Sequence, residues 1–291
     1  REDIAAGVQR LLEEVVPEYV KHAVRRYAGG RASVALAGGV FANVKLNQRI
    51  VELPEVENIF IYPHMGDGGM AAGAAMALAM ERGWKRPGSL PHCYLGPEFS
   101  DGEIERVLRG AGVRYERPEQ LTAELAQILS DGKIVALYRG RMEYGPRALG
   151  NRSILSQATD PNVNDWLNKR LKRSEFMPFA PILRREDLPL YFQGYEKCEK
   201  ALEFMTITLD ALPRCKQEAP AVVHVDGTAR PQVVLPETNS FVHELLGAYV
   251  KRSGLRVLIN TSFNMHEEPI VCTPADALRA FQQGGLDVLA I

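Results

Sequence analysis

Residues 139–153 read Arg139-Gly140-Arg141-Met142-Glu143-Tyr144-Gly145-Pro146-Arg147-Ala148-Leu149-Gly150-Asn151-Arg152-Ser153, four arginines punctuated by three glycines. The stretch has neither the period of an amphipathic helix nor the alternation of a half-buried strand. Glycine lets the backbone approach a ligand and reach positive φ, and guanidinium forks bind phosphate or carboxylate oxygens in pairs. The segment is therefore read as an anion cradle. A solvated basic loop is the alternative, but Pro146, Ala148 and Leu149 among the charges argue against free solvation. The apolar run from Lys133 to Tyr138 reads as a strand, so the cradle should leave a sheet at a strand end, where α/β folds commonly place ligands.

Other clusters bear on the same chemistry. A helix over 161–172 would put Asn168 and Lys172 on one face with Arg173 at its end, and Trp166, Leu167 and the run Phe176–Pro181 favour an inward face over a solvated one. His224-Val225-Asp226-Gly227-Thr228-Ala229-Arg230 offers a base, a carboxylate, a hydroxyl and a further guanidinium. If the preceding strand persists, His224 and Asp226 share a face, as an orienting or structural pair or as a proton shuttle. Asn260-Thr261-Ser262-Phe263-Asn264 is a polar strand end, either a binding rim or a turn built by local side-chain bonds. His266-Glu267-Glu268 is followed by Pro269, which prevents a helical metal motif.

The elements that must position these groups follow from periodicity. Residues 2–27 carry apolar side chains at helical spacing, with Pro17 inside. Ser33–Ala37 reads as a buried strand, then Gly38-Gly39-Val40-Phe41-Ala42-Asn43 and a helix to about Val51. Asn58–Tyr62 is a second strand, then Gly66-Asp67-Gly68-Gly69 and an Ala/Gly/Met-rich helix to about Arg82. Such turns can hold a phosphate or ribose on helix-start N–H groups, or can serve close backbone packing, which Ala71–Ala75 also suggests. Asp67 is an N-cap candidate. No Walker lysine motif occurs. The proline-rich stretch 83–100 reads as a linker. Beyond it, helices are expected near 101–111, 119–131, 161–172, 238–252 and 274–283, and strands near 203–209, 221–225 and 255–260, an α/β alternation.

Composition narrows the classes. The chain has 291 residues, 46% hydrophobic and 24% charged, with a formal net charge of −1. That argues against a general nucleic-acid or anionic-membrane binder. Between Lys133 and Arg173, nine lysines and arginines stand against three acids, which suits a compact polyanion such as a nucleotide. Cys93, Cys198, Cys215 and Cys272 have no zinc-finger spacing, so reduced thiols in a cytoplasmic protein are the default. Arg1 within a helical pattern and Leu289-Ala290-Ile291 within an apolar run give the look of a fragment.

The phrase Gly140–Leu155 resembles the signature of the NodU/CmcH-type carbamoyltransferases, which include nodulation-factor, cephem and tobramycin carbamoyltransferases. The resemblance continues through Asn168, Lys172–Pro181, His224–Gln232 and Asn260–Asn264, and so covers nearly the whole chain. It implies part of an actin/sugar-kinase-like lobe over 1–86, a linker over 87–100 and a YrdC-like open α/β domain over 101–291. It implies a two-step reaction: carbamoyl phosphate and ATP, with magnesium, give a carbamoyl-adenylate, and the carbamoyl group then passes to a small hydroxylated acceptor. On it, Arg147, Arg152, Ser153, Lys172 and Arg173 would serve carbamoyl phosphate and the ATP phosphates. Asn260, Ser262 and Asn264 would line the same cavity, and Gly38, Gly39, Asn43, Gly66 and Gly68 would form nucleotide-binding turns. Asp67 would match an aspartate of an iron site whose histidines belong to an N-terminal lobe. A homodimer, but no nucleic-acid or membrane partner, is expected. A HypF or threonylcarbamoyl-type maturation enzyme joins the two domain types in the reverse order; a nucleotide-binding module without catalysis is the other alternative.

Overall fold

The computed structural model describes residues 2–85, 88–171 and 179–291. The expected first helix is α1 (Glu2–Ala28), with Pro17 inside it. Its apolar stripe is only partly used: Pro17, Val20 and Val24 are buried, whereas Ile4, Val8, Leu11, Val15 and Tyr19 are exposed. Next come β1 (Ala32–Leu36), a 3₁₀ turn over Gly39–Ala42, α2 (Val44–Val51), β2 (Val56–Ile61), a 3₁₀ turn over Asp67–Gly69 and α3 (Met70–Glu81). This is the anticipated strand, turn and helix, twice over. β1 and β2 pair in parallel with Leu36 opposite Ile61, so both glycine turns emerge at the same edge. Two details depart from expectation. Ser33 and Ala35 leave one face of β1 open, and α3, apolar on all sides, has no buried residue despite its small side chains.

The remainder begins with α4 (Asp101–Gly110), α5 (Leu121–Ser130), β3 (Val135–Tyr138), β4 (Arg152–Gln157), α6 (Val163–Arg170) and β5 (Ala180–Arg184). It continues with α7 (Glu199–Glu203), β6 (Leu209–Asp210), α8 (Pro213–Glu218), β7 (Thr228–Ala229) and β8 (Gln232–Val234). It ends with α9 (Ser240–Ser253), β9 (Leu258–Ser262), α10 (Pro274–Gly284) and β10 (Val288–Ala290). Six strands form a mixed sheet in the order β10-β3-β4-β9-β5-β8, parallel at its two outer pairs and antiparallel between them. One face packs on α5 and α9 through Leu125, Leu129, Leu245 and Tyr249. The other meets Ala277 and Ala280 of α10, beneath Ala136, Ile154 and Ile259. The mixed α/β class is thus as expected.

The structure corrects several elements. The strand expected near 203–209 is the end of α7 followed by the two-residue β6. The one expected near 221–225 is a 3₁₀ turn at Pro220–Val222, where proline sits in the first turn and favours its geometry. β4 starts inside the stretch read as cradle, and β5, β8 and β10 were not anticipated. The expected linker is strapped along the arginine loop: Gly96 N–H donates to the Met142 carbonyl at 2.9 Å and Met142 N–H to the Pro97 carbonyl at 2.9 Å. The core is continuous across it, from Val24, Leu46, Ile50 and Ile61 through Ile207, Leu209 and Val222 to Ile154 and Ile259. Among the described residues no helix is long and apolar enough to cross a membrane.

The exposed apolar faces of α1 and α3 lead to a prediction. The chain should bind an apolar-surface dye and self-associate at high concentration, and replacing Leu11, Val15 and Tyr19 by serine should weaken both effects. Sedimentation as a strict monomer with no dye bound would count against it.

Candidate functional site

The arginine loop is organised around an acid. Glu143 is 6% exposed, and one of its carboxylate oxygens, Oε1, accepts the N–H groups of Leu149 (2.7 Å), Asn151 (2.8 Å) and Arg152 (3.2 Å). The other oxygen is buried with no hydrogen-bond partner among the described residues. Burial raises the Glu143 pKa, and the three N–H groups oppose that shift. A carboxylate that gathers three backbone donors closes the chain into a tight turn. Around this turn, Ser153 Oγ accepts the Gly150 N–H (2.9 Å), Asn260 donates to the Ala148 carbonyl (3.0 Å), and Gln232 and the Tyr94 hydroxyl donate to the Leu149 carbonyl (2.7 and 2.9 Å). Asn260, Gln232 and Ser153 come from β9, β8 and β4, so the loop is pinned to three strands of the sheet.

The four arginines have different tasks. Arg152 is 0% exposed; its guanidinium stacks 3.8 Å from the Tyr138 ring and donates to the carbonyls of Arg139 (2.8 Å), Asn151 (2.9 Å) and Gly140 (3.1 Å). Arg152 was expected to meet phosphate; its two terminal nitrogens bond the loop's own carbonyls, and its Nε is buried with no hydrogen-bond partner among the described residues. Arg141 donates to the carbonyls of Leu95 and Gly96, and Arg139 lies 3.9 Å from the centroid of Phe241. Arg147 differs. Among the described residues it has no acidic or hydrogen-bonding partner, and burial lowers its pKa.

The charge of Arg147 acts on a second guanidinium. Arg230, from the turn region between β7 and β8, is pressed by burial first and the Arg147 charge second to a pKa of about 9, and its Nε is buried and unpartnered. At neutral pH both groups still carry their charge. Both side chains are half-buried, and among the described residues neither has an acidic partner. Sequence reasoning noted Arg230 but left it out of the site; what the chain alone cannot show is that β7 and β8 return it to the loop.

The glycine turns stand against this loop. Gly38 N–H donates to the Met65 carbonyl (2.6 Å), which joins the two turns. Asn43, expected at a nucleotide, caps α2 by accepting the Leu46 N–H (3.1 Å) and pairs with Gln9 of α1. Gly39 and Gly66 have open space where a side chain would start, whereas a Cβ on Gly68 would lie 1.9 Å from the His64 ring. A Cβ on Gly69 would lie 2.1 Å from the His64 carbonyl oxygen, so that position needs glycine. Tyr144 of the arginine loop packs edge-on against Tyr62 and His64 and donates to the Gly68 carbonyl (3.3 Å). Gly145, at φ 115°, brings its Cβ position within 3.2 Å of the Pro63 carbonyl oxygen. The two candidate sites thus abut.

The remaining expectations sort as follows. Ser262 and Asn264 are joined by a 2.6 Å hydrogen bond, and Asn264 donates to the Met265 and Glu268 carbonyls, so these side chains build the strand end. Asn168 is buried on α6. Lys172 and Arg173 lie outside the described residues. Asp67 is exposed in its 3₁₀ turn and caps no helix, for the residue before α3 is Gly69. No three His, Cys, Asp or Glu side chains among the described residues come together as a metal site, so Asp67 offers a single carboxylate and does not by itself fit an iron centre.

Comparison with known proteins adds the following. Residues 126–291 match the family model described as Carbamoyltransferase C-terminus, and residues 1–76 the one described as Carbamoyltransferase N-terminus. An uncharacterized protein of Methanocaldococcus jannaschii is 38% identical, covering 100% of this chain and 48% of its own length. Nodulation protein NolNO of Sinorhizobium fredii is 35% identical over 99% of this chain and 43% of its own length. The 3'-hydroxymethylcephem-O-carbamoyltransferase of Streptomyces clavuligerus is 33% identical over 92% of this chain and 49% of its own length. The chain spans about half the length of the curated relatives it matches. Full-length HypF, crystallised in a phosphate- and nucleotide-bound form, is 20% identical with a TM-score of 0.43, over 59% of this chain and 21% of that one.

Glu143 is open to a direct test. Glu143→Ala leaves three buried donors without an acceptor, so it should destabilise the fold by about 3 kcal/mol or more, whereas Glu143→Gln keeps an acceptor oxygen and should lose less than half of that. Denaturant midpoints measure both. Equal losses would mean that the charge of the carboxylate, which glutamine lacks, and not a neutral acceptor oxygen, holds the loop.

Proposed function

The chain belongs to the carbamoyltransferase family, and we propose that its arginine site carries the activating half of an ATP-dependent O-carbamoyl transfer to a small hydroxylated acceptor. The observation that carries this reading is the pair Arg147 and Arg230, two desolvated guanidiniums with no anion of their own among the described residues.

The chemistry asks for such a pair. Carbamoyl phosphate is cleaved by water to carbamate and phosphate; a carbamate oxygen then attacks the α-phosphorus of ATP, and pyrophosphate leaves with the electron pair of the broken P–O bond. Both steps crowd anionic oxygens together, and fixed cations in a water-poor pocket stabilise charge where it develops. Arg147 and Arg230 would hold phosphate oxygens, with Lys172 and Arg173 as further contributors. Arg152, Ser153, Asn260 and Glu143 would keep the loop in position. Magnesium would accompany the nucleotide phosphates. The turns at Gly38–Asn43 and Gly66–Gly69 would take the nucleotide or acceptor side of the second step, reached past Tyr144. In that second step the acceptor hydroxyl oxygen would bond to the carbamoyl carbon as AMP departs. No step is drawn through iron.

Arg147→Ala should weaken binding of carbamoyl phosphate or ATP by about 2 to 5 kcal/mol, the range found when one partner of a buried charge pair is removed, and Arg147→Lys should restore only part of it. Calorimetry gives the affinities, and pyrophosphate release from ATP with carbamoyl phosphate gives the activity. Equal affinity in the folded variant and the parent chain would sink the assignment. Nucleotide binding with no pyrophosphate released would leave a binding module in place of an activating enzyme.

A further inference from the structure

Next to Arg230, the turn before β7 carries His224 and Asp226, and Thr228 opens the strand. It is closed by His224 N–H donating to the Thr228 carbonyl (2.7 Å) and Gly227 N–H to the His224 carbonyl (2.9 Å). The Thr228 hydroxyl stands 2.7 Å from Asp226 Oδ1 and 3.3 Å from His224 Nδ1. A hydroxyl has one hydrogen, and an ionised carboxylate can only accept, so that hydrogen goes to Asp226. Lys45 of α2 holds the other Asp226 oxygen at 2.8 Å, and the carboxyl, with burial opposing, is drawn down to a pKa of about 2 by Lys45 and Thr228. The Thr228 oxygen is then an acceptor toward the ring. His224 Nδ1 therefore carries its proton, and Nε2 keeps a lone pair without a partner among the described residues.

The charged groups acting on this ring are Asp226 and Arg230 from its own turn and Lys45 from α2. Burial holds the imidazole pKa below its usual value; Asp226 works against that shift, and Arg230 and Lys45 reinforce it. We propose that His224 is a proton-linked member of the anion site: when a doubly charged oxyanion settles between Arg147 and Arg230, His224 Nε2 takes one proton from solvent and the imidazolium joins the guanidiniums. The inference rests on the reading of Arg147 and Arg230 as an anion site. A bound dianion offsets the Arg230 and Lys45 charges that add to burial in disfavouring the imidazolium, so the proton is held more tightly in the bound state than in the free one. By linkage the affinity is greatest below the free-state pKa and declines as pH rises through the bound-state pKa, by at most about tenfold per pH unit for one proton.

Sulfate is the suitable probe because, unlike phosphate, it does not titrate near neutrality. Calorimetry on the whole chain at about pH 6.5 to 7.5, in two buffers of different ionisation enthalpy, should show uptake of up to one proton per sulfate bound. His224→Gln should bind sulfate several-fold more weakly with no uptake. Thr228→Val should lose the preference for the Nδ1–H tautomer, read by long-range ¹⁵N NMR of the ring. On the parent chain, the same spectra should show Nδ1–H without sulfate and imidazolium with it, which decides the matter if His224→Gln fails to fold. Sulfate binding without proton uptake, uptake that survives in His224→Gln, or an Nε2–H ring in the free chain would overturn the proposal and leave the arginine site standing. No saturable sulfate binding, or binding unchanged in Arg147→Ala, would overturn the arginine site and the proposal together.

Discussion

The carboxylate of Glu143 sets the geometry of everything around it. Three N–H groups of residues 149, 151 and 152 converge on one oxygen, and that convergence turns the chain sharply enough to send β4 back antiparallel to β3. The strand pairing then places Arg152 opposite Tyr138, where its guanidinium can stack on the ring and bind the carbonyls of the same loop. An acid and an arginine thus complete a polar interior from opposite ends, each satisfied mainly by backbone. Neither needs the other as a direct partner, and that leaves Arg147 projecting from a rigid support.

Rigidity matters because the site opposes itself. Two guanidiniums, one of which lowers the other's preference for charge, would drift apart on flexible loops, since nothing between them is attractive. Here Arg147 is carried by a turn bonded to Ser153, Asn260, Gln232 and Tyr94, and Arg230 lies between the short strands β7 and β8. The folded frame absorbs the repulsion, and a bound anion would release it.

Much of this was legible in the chain, with limits that have physical causes. The doubled strand, glycine turn and helix could be read because apolar runs and Gly-Gly steps alternate at regular spacing, and β1, α2, β2 and α3 fall where they were expected. The arginine loop announced itself by composition. What could not be read was which arginine lacks a partner among the described residues: Arg139, Arg141, Arg147 and Arg152 look alike in sequence, and only the tertiary fold supplies Phe241, the Leu95 and Gly96 carbonyls or Tyr138 as partners. Glu143 left one signal, a lone acid among four arginines, and it pointed to charge balance when the carboxylate serves the backbone. β4, β5 and β8 escaped because they are short and carry arginine, proline or glutamine, residues that weaken a strand pattern. The open face of β1 and the unburied α3 could not be anticipated either, because periodicity reports which face is apolar and not whether a neighbour covers it.

The seam between α2 and the second half explains how the two candidate sites keep their relative position. Asn47 is fully buried, yet its amide nitrogen donates to the Phe41 and Thr206 carbonyls at 2.8 Å each; Gln48 donates to Asp210 at 3.0 Å and accepts from Thr208 at 2.8 Å. Buried amides add little net stability, but leaving one unpaired costs roughly 1 to 3 kcal/mol. Leu46 and Ile50, fully buried beside them, supply the adhesion; the amides supply the register. A slide of one residue along this seam would keep apolar contact and break several polar pairs at once, so only one alignment is low in energy. Lys45 then ties the same helix to Asp226, and Asn43 caps its start at the first glycine turn. Any displacement of the turn at Gly38–Asn43 must therefore carry α2, Asp226 and the segment bearing Arg230 with it, which makes the glycine turns and the arginine pair a single mechanical unit.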